Sequence, residues 1–73
     1  MIKVNSAVRS AYGEGVVQGR TEFGYLVRYN ADQVAGFISG NSIPVGRLFT
    51  TIREDTHTVL VEIPEKSLEV KDA

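Results

Sequence analysis

The sequence predicts an all-β domain, a small barrel of five to six short antiparallel strands that occupies residues 1–73. The segment Gly13-Glu14-Gly15 indicates a tight corner, since glycine adopts a positive φ without steric cost. Apolar residues alternate along residues 25–29 and again along 58–63, which is the period of a strand with one buried face. No stretch repeats apolar residues at helical spacing between caps, so we expect no long helix.

The individual strands follow from runs of β-branched and aromatic residues separated by turn residues. In chain order, we predict them at residues 6–10, 15–20, 23–30, 33–39, 46–53, 58–63 and 67–70. Gly36 weakens the fourth of these, and residues 30–32 before it are predicted to form a turn. Residues 64–66 predict a reversal through one short helical turn, and residues 71–73 a frayed tail.

Two strands have the clearest buried faces. The strand at 23–30 is expected to place four aromatic and aliphatic side chains on one face, namely Phe23, Tyr25, Val27 and Tyr29. The strand at 58–63 is expected to turn three side chains inward, namely Val59, Val61 and Ile63. These residues form the predicted core.

Composition excludes several classes of protein. The chain has 73 residues and a net charge of −1, from 8 Lys+Arg against 9 Asp+Glu, which gives no general attraction to nucleic acid. It has no cysteine, so neither a disulfide nor a thiolate metal site can form. We expect no cofactor, no metal and no membrane segment, and we expect a cytoplasmic location. Because one core of this size is marginal, self-association is also expected.

A resemblance to the SH3-like small barrels covers residues 8–29 and 58–70. Its first part is a Gly-X-Gly turn between valines, at Val8, Tyr12-Gly13, Gly15 and Val17. Its second part is the alternating strand at Tyr25, Val27 and Tyr29, followed by the closing strand Ser67-Leu68-Glu69-Val70. The chain is most similar to the Tudor-like and KOW-like group, including the C-terminal module of UvrD-type helicases. The resemblance implies a module that docks on a protein or on nucleic acid.

The type II dihydrofolate reductases are also SH3-like, and they build one active pore from four short chains. Their pore motif is Val-Gln-Ile-Tyr, whereas this chain has Val59-Leu60-Val61-Glu62-Ile63. The glutamine and tyrosine are missing, so this resemblance does not carry the activity over. An enzyme whose site forms only between subunits stays open as a third hypothesis.

The stretch from 33 to 46 contains no charged residue. One interpretation is two strands buried on the core. The other, which gives our leading hypothesis, is an apolar patch that contacts a protein partner or another copy of the chain. The predicted patch consists of Phe37, Ile38, Ile43, Val45, Leu48 and Phe49.

The alternative hypothesis is a nucleic-acid-binding barrel. It would use Arg9, Arg20 and Arg28 on one face of a hairpin for phosphate contacts, and Tyr12 at a loop edge for stacking on a base. The competing interpretation is a mixed, solvated surface with aromatic residues packed inward.

Catalytic motifs are weak. Gly13-Glu14-Gly15 lacks the third glycine and the following helix of a dinucleotide loop. The single histidine, His57, lies near Asp55 but has no further partner for a triad or a metal site. We therefore expect a non-catalytic binding or regulatory module, with no catalytic residue assigned.

Overall fold

A computed structural model describes residues 2–71, which form one antiparallel sheet and one α-helix. The elements in chain order are β1 (Ala7–Ser10), β2 (Gly13–Arg20), β3 (Tyr25–Asn30), α1 (Ala31–Ser39), β4 (Arg47–Leu48), β5 (Thr58–Ile63), a 3₁₀ turn (Glu65–Ser67) and β6 (Glu69–Val70). The strand order is β4-β5-β3-β2-β1-β6. The predicted all-β class is therefore confirmed. The sheet is not closed into a barrel, and β4 and β6 are its two edges.

The first corner of the sheet is the β1–β2 hairpin, in which Ser10 pairs with Gly13. Gly13 has a φ of +102°, as the sequence predicted for the corner. Gly15 is required for a different reason. A Cβ atom at this position would lie 2.7 Å from the Tyr29 ring and 2.8 Å from the Arg28 carbonyl oxygen. Because Gly15 has no side chain, the Tyr29 and Val27 side chains of β3 can pass close to the backbone of β2 at this position.

The predicted core is confirmed apart from Phe23. Tyr25, Val27 and Tyr29 are buried on β3. So are the three predicted residues of β5, Val59, Val61 and Ile63. Phe23 lies before β3, in the bend that leads into it, and is 43% exposed.

The predicted strand at 33–39 and the turn at 30–32 are wrong, because this segment is helix α1. Asn30 caps the helix: its side chain accepts from the Asp32 N–H, and the Gln33 side chain accepts from the Asn30 N–H. Val34 is fully buried, and Phe37 and Ile38 pack against the core one turn later. The spacing i, i+3, i+4 gives the helix one apolar face, which covers β3 and β5.

The predicted strand at 46–53 is interrupted after two residues. Beyond β4, the N–H groups of Phe49 and Thr50 both reach the Leu60 carbonyl, at 3.0 and 3.3 Å. Two residues opposite one is the arrangement of a β-bulge, which ends regular pairing. One further pair forms, between Arg53 and Thr58.

The C-terminal part largely follows the prediction. The expected helical turn is the 3₁₀ turn, and the last strand is shorter than predicted. The predicted frayed tail is wrong for Lys71, because its N–H donates to the Ala7 carbonyl at 2.9 Å. The rest of the predicted tail, residues 72 and 73, lies outside the described residues.

The accessible surface of the chain is 4674 Å². A folded monomer of 8.0 kDa is expected to expose about 4,500 Å². Within residues 2–71, every buried side-chain nitrogen and oxygen has a hydrogen-bond partner.

Candidate functional site

One face of the sheet packs on α1, and the opposite face, which we call the outer face, carries a cleft of about 450 Å³. Residues of β2, β3 and β5 form one side of the cleft, and the segment that follows β4 forms the other. The lining residues are Gln18, Arg28, Thr50, Arg53, Thr56, Thr58, Val59 and Leu60. We call this site the Arg28 cleft.

Arg28 lies at the centre of the sheet, on β3. Its cross-strand neighbours are Val16 on β2 and Leu60 on β5, so no carboxylate stands directly opposite it. The ion pairs found within residues 2–71 do not include Arg28, although Arg9, Arg47 and Arg53 each have a carboxylate partner. The positive charge of Arg28 is therefore uncompensated within the described part of the chain.

The second guanidinium, that of Arg53, is positioned by the backbone pair between Arg53 and Thr58. Its Nη2 lies 3.1 Å from Asp55 Oδ2, and both side chains are exposed. This Arg53 contact is the main reason that the pKa of Asp55 is lowered. Asp55 thus compensates part of the charge of Arg53.

Threonine hydroxyls complete the polar lining. Thr50 Oγ1 accepts from the Leu60 N–H at 3.2 Å, which leaves its own O–H free to donate. The hydroxyl oxygens of Thr56 and Thr58 are 2.6 Å apart, so one of the two donates to the other. The cleft offers guanidinium, hydroxyl and amide groups, which together suit an anion.

The residues predicted to contact nucleic acid do not converge. Arg9 Nη2 is bound to Glu14 Oε2 at 3.0 Å, and Lys71 Nζ contacts the same oxygen at 2.7 Å. Arg20 stands opposite Tyr25 at the end of β2, and it does not line the cleft. Only Arg28 faces the cleft.

Tyr12 is not the exposed loop residue that the sequence suggested. It is 5% exposed, and its ring packs against Tyr29 and Phe37 at centroid distances of 5.3 and 5.5 Å. Its hydroxyl donates to the Val45 carbonyl. Burial raises the pKa of Tyr12, and the bond to Val45 opposes part of that rise. This ring cannot stack on a base without leaving the core.

The six residues of the predicted apolar patch divide into two groups. Four of them are partly buried and pack against the core, namely Phe37, Ile38, Ile43 and Val45. The other two, Leu48 and Phe49, are 39% and 54% exposed. They lie at the open edge of the sheet, on β4 and directly after it.

Arg47 links this edge to the rest of the outer face. Its Nε lies 2.6 Å from Oε1 of Glu62, the residue opposite it on β5. Its guanidinium carbon lies 4.7 Å from the centre of the Phe23 ring, a cation–π distance. We call Phe23, Arg47, Leu48 and Phe49 the β4 edge.

The described residues offer little else for chemistry. His57 Nε2 lies 3.0 Å from Asp32 Oδ1, on an exposed surface. Within residues 2–71, no group of three potential metal-ligating side chains comes together. Over the same range, no helix is both long and apolar enough to cross a membrane.

Comparison of the chain with protein-family models, with curated proteins and with solved structures found no match.

Acidification is expected to destabilise the fold through Glu62. The Thr21 hydroxyl and then Arg47 lower the pKa of Glu62 below its usual value of 4.5. A carboxyl whose pKa is lower in the folded state adds stability above its unfolded pKa and loses it as the pH falls through the folded pKa. When melting temperatures are measured from pH 7 to pH 3, they should therefore decrease once the pH is lower than about 4.5.

The variant Glu62→Gln tests this assignment, because it cannot titrate. Relative to its own value at pH 7, it should lose less stability than the wild type on acidification. Lys71 and Arg9 also lower the pKa of Glu14, and Arg53 lowers the pKa of Asp55. Part of the loss of stability on acidification should therefore persist in the variant. If the variant and the wild type lost stability in parallel as the pH fell, Glu62 would not be a cause of the acid effect.

Proposed function

We propose that this chain is a non-catalytic protein-interaction module of the SH3-like class, and that it engages a second copy of itself through the β4 edge. The observation that carries the proposal is the free backbone of Leu48. The same module would act in the cytoplasm. Its resemblance to SH3-like barrels over residues 8–29 and 58–70 supports the class, although the sheet stays open between β4 and β6.

The direction of the Leu48 backbone follows from the ladder between β4 and β5. The Phe49 N–H donates to the Leu60 carbonyl, and Leu48 stands opposite Val61. Backbone groups along an antiparallel strand point alternately toward and away from its neighbour. The N–H and C=O of Leu48 therefore point away from β5, toward open space.

One free donor and one free acceptor on a single residue suit a two-fold contact. When Leu48 of one copy stands opposite Leu48 of another, each N–H meets the other chain's carbonyl and both groups are satisfied. A two-residue edge strand is too short to pair with a long foreign strand, and such short edges limit open-ended aggregation.

The neighbouring side chains agree with this register. Pairing centred on Leu48 places Arg47 of each copy opposite Phe49 of the other, on the outer face. The Arg47 side chain is 66% exposed and already lies over the Phe23 ring, so a second aromatic ring can add a cation–π contact. The patch is small, and we expect weak, reversible association of folded chains.

Sedimentation equilibrium tests the proposal. The average mass should rise from 8.0 kDa toward twice that value between about 10 and 500 µM protein. Leu48→Pro removes the outward N–H while leaving the bonds of Arg47 and Phe49 to β5 intact, and proline is tolerated at such edge positions. It should keep the chain monomeric, as should Phe49→Asp, with the far-UV circular dichroism unchanged.

Val70→Asp is the matched control, because Val70 is 43% exposed on the opposite edge strand, β6. It should associate like the wild type. A wild-type mass that stays at 8.0 kDa overturns the proposal, and so does association that survives Leu48→Pro. Growth beyond a dimer would indicate contacts between β4 and β6 and would overturn the two-fold arrangement.

Nucleic-acid binding is less well supported as the main function. Of the four residues expected to make contact, Arg9 is neutralised by Glu14 and Tyr12 is buried. Arg20 does not line the cleft that Arg28 lines, so the three arginines do not form one binding site along the hairpin.

A further inference from the structure

We propose that the Arg28 cleft binds a phosphate ester of a small organic molecule, with Arg28 and Arg53 holding the phosphate. Neither the β4 edge nor self-association is needed for this site. The two guanidinium groups come from residues that are remote in sequence, and β3 and the irregular segment after β4 bring them to the same cleft.

The charge of the cleft favours an anion. Arg28 has no ion-pair partner within the described residues, and the pair between Arg53 and Asp55 is exposed on both sides. The guanidinium group presents several N–H donors in one plane, which matches two oxygens of a phosphate. A phosphate can bind Arg28 without displacing a carboxylate from it.

The neutral donors add specificity. The free O–H of Thr50 and the amide of Gln18 line the same space as the two guanidinium groups. Gln18 occupies the irregularity between Val17 and Gly19 on β2, where the ladder to β3 shifts its register. A bulge of this kind changes the direction of a side chain, and bulges are frequent beside binding sites.

The size and floor of the cleft favour a small ligand over a polymer. A volume of about 450 Å³ exceeds what one phosphate fills and lies within the range of small-molecule sites. Leu60, on the outer face of β5, gives it an apolar floor for an organic group. Along β1 and β2, Glu14 pairs with Arg9 and Lys71, so these two cations do not extend the positive surface of the cleft for a polymer to follow.

Nuclear magnetic resonance of ¹⁵N-labelled protein tests the proposal, with four probes at constant ionic strength. Adenosine 5′-monophosphate should shift the amide signals of Gln18, Arg28, Thr50 and Thr58 and saturate below about 10 mM. Inorganic phosphate should shift the same signals more weakly. Adenosine, which lacks the phosphate, should not shift them. A twelve-nucleotide thymidine strand should bind no more tightly than the monophosphate.

Three arginine variants identify the groups that bind. Arg28→Gln should weaken monophosphate binding about tenfold, and Arg53→Gln should also weaken it, because each removes a charge-assisted contact. Arg20→Gln is the matched control, since Arg20 also lacks an ion-pair partner in residues 2–71 but lies outside the cleft. It should bind like the wild type. Circular dichroism and the unperturbed amide signals verify that each variant is folded.

Several results would overturn the proposal. One is the absence of saturable shifts in the cleft with either phosphate probe. Equal weakening by Arg20→Gln and Arg28→Gln would show general charge attraction instead of a site. Tighter binding of the thymidine strand than of the monophosphate would assign the cleft to nucleic acid.

Discussion

Replacement of Gly15 by alanine is expected to cost about 3 kcal/mol or more of the free energy of unfolding, and replacement by valine is expected to abolish folding. A Cβ at this position meets the Tyr29 ring, the Val27 side chain and the Arg28 carbonyl oxygen, all at less than 3 Å. The carbonyl belongs to β3, the central strand, and cannot move without disturbing the pairing on both of its sides. Urea denaturation followed by circular dichroism measures the loss.

The same substitution at Gly36 should have the opposite sign. Gly36 lies in the interior of α1, and an added Cβ there has no atom within 4 Å. Alanine should stabilise the protein by about 0.5–1 kcal/mol, because it restricts the unfolded chain and favours the helix. If Gly15→Ala and Gly36→Ala shifted the urea midpoint in the same direction, the close approach of β3 to Gly15 would not be the cause.

The strands could be predicted because their evidence is local. Along β3 and β5, a side chain at every second position is apolar, and that pattern is present in the sequence whatever the strands pack against. The register between β3 and β5 then places Val27 opposite Val61 and Tyr29 opposite Val59, so two independently predicted faces meet in one core. The prediction for Phe23 is wrong because the alternation of apolar residues begins one step before the first residue of β3.

Helix α1 could not be distinguished by hydrophobicity alone. Residues 33–46 contain no charged residue. The segment therefore fits a strand that is buried on both faces as well as it fits a helix that is buried on one face. The capping pair Asn30 and Gln33 was the available signal, since a short polar residue followed three positions later by glutamine is a helix start. The same asparagine also fits a turn, which is what we predicted for residues 30–32.

The Arg28 cleft depends on contacts that no local pattern contains. Arg28 was predicted as a candidate, but Arg53 and Thr50 join it only because the bulge at Phe49 and Thr50 ends β4 early and the chain then returns toward Thr58. Tyr12 was misplaced for a related reason. Its partner Val45 is 33 residues away, and a residue in a two-residue turn gives no local indication that it is buried.

Gln33 connects the helix to the first hairpin, and we expect Gln33→Ala to cost about 2–3 kcal/mol. Its Oε1 accepts from the Asn30 N–H, and its Nε2 donates to the carbonyls of Tyr12 and Glu14 at 3.1 and 3.0 Å. One amide thus caps α1 and also fastens the corner that Gly13 allows. Alanine removes all three bonds. Urea denaturation gives the loss, and faster amide hydrogen exchange at the helix start should accompany it.

Gln33→Glu separates the two functions of this side chain. It keeps an acceptor for the Asn30 N–H and adds a negative charge in the first turn of the helix, which favours α1. At neutral pH, however, it places a carboxylate against two carbonyl oxygens, so a loss of about 2 kcal/mol is expected despite the intact cap. The folded state then raises the pKa of that carboxyl above its unfolded value, so the stability difference from the wild type at the same pH should shrink as the pH falls through the raised pKa and should be smallest below about pH 4. A variant as stable as the wild type at pH 7 would show that the cap, and not the link to the hairpin, is what Gln33 contributes.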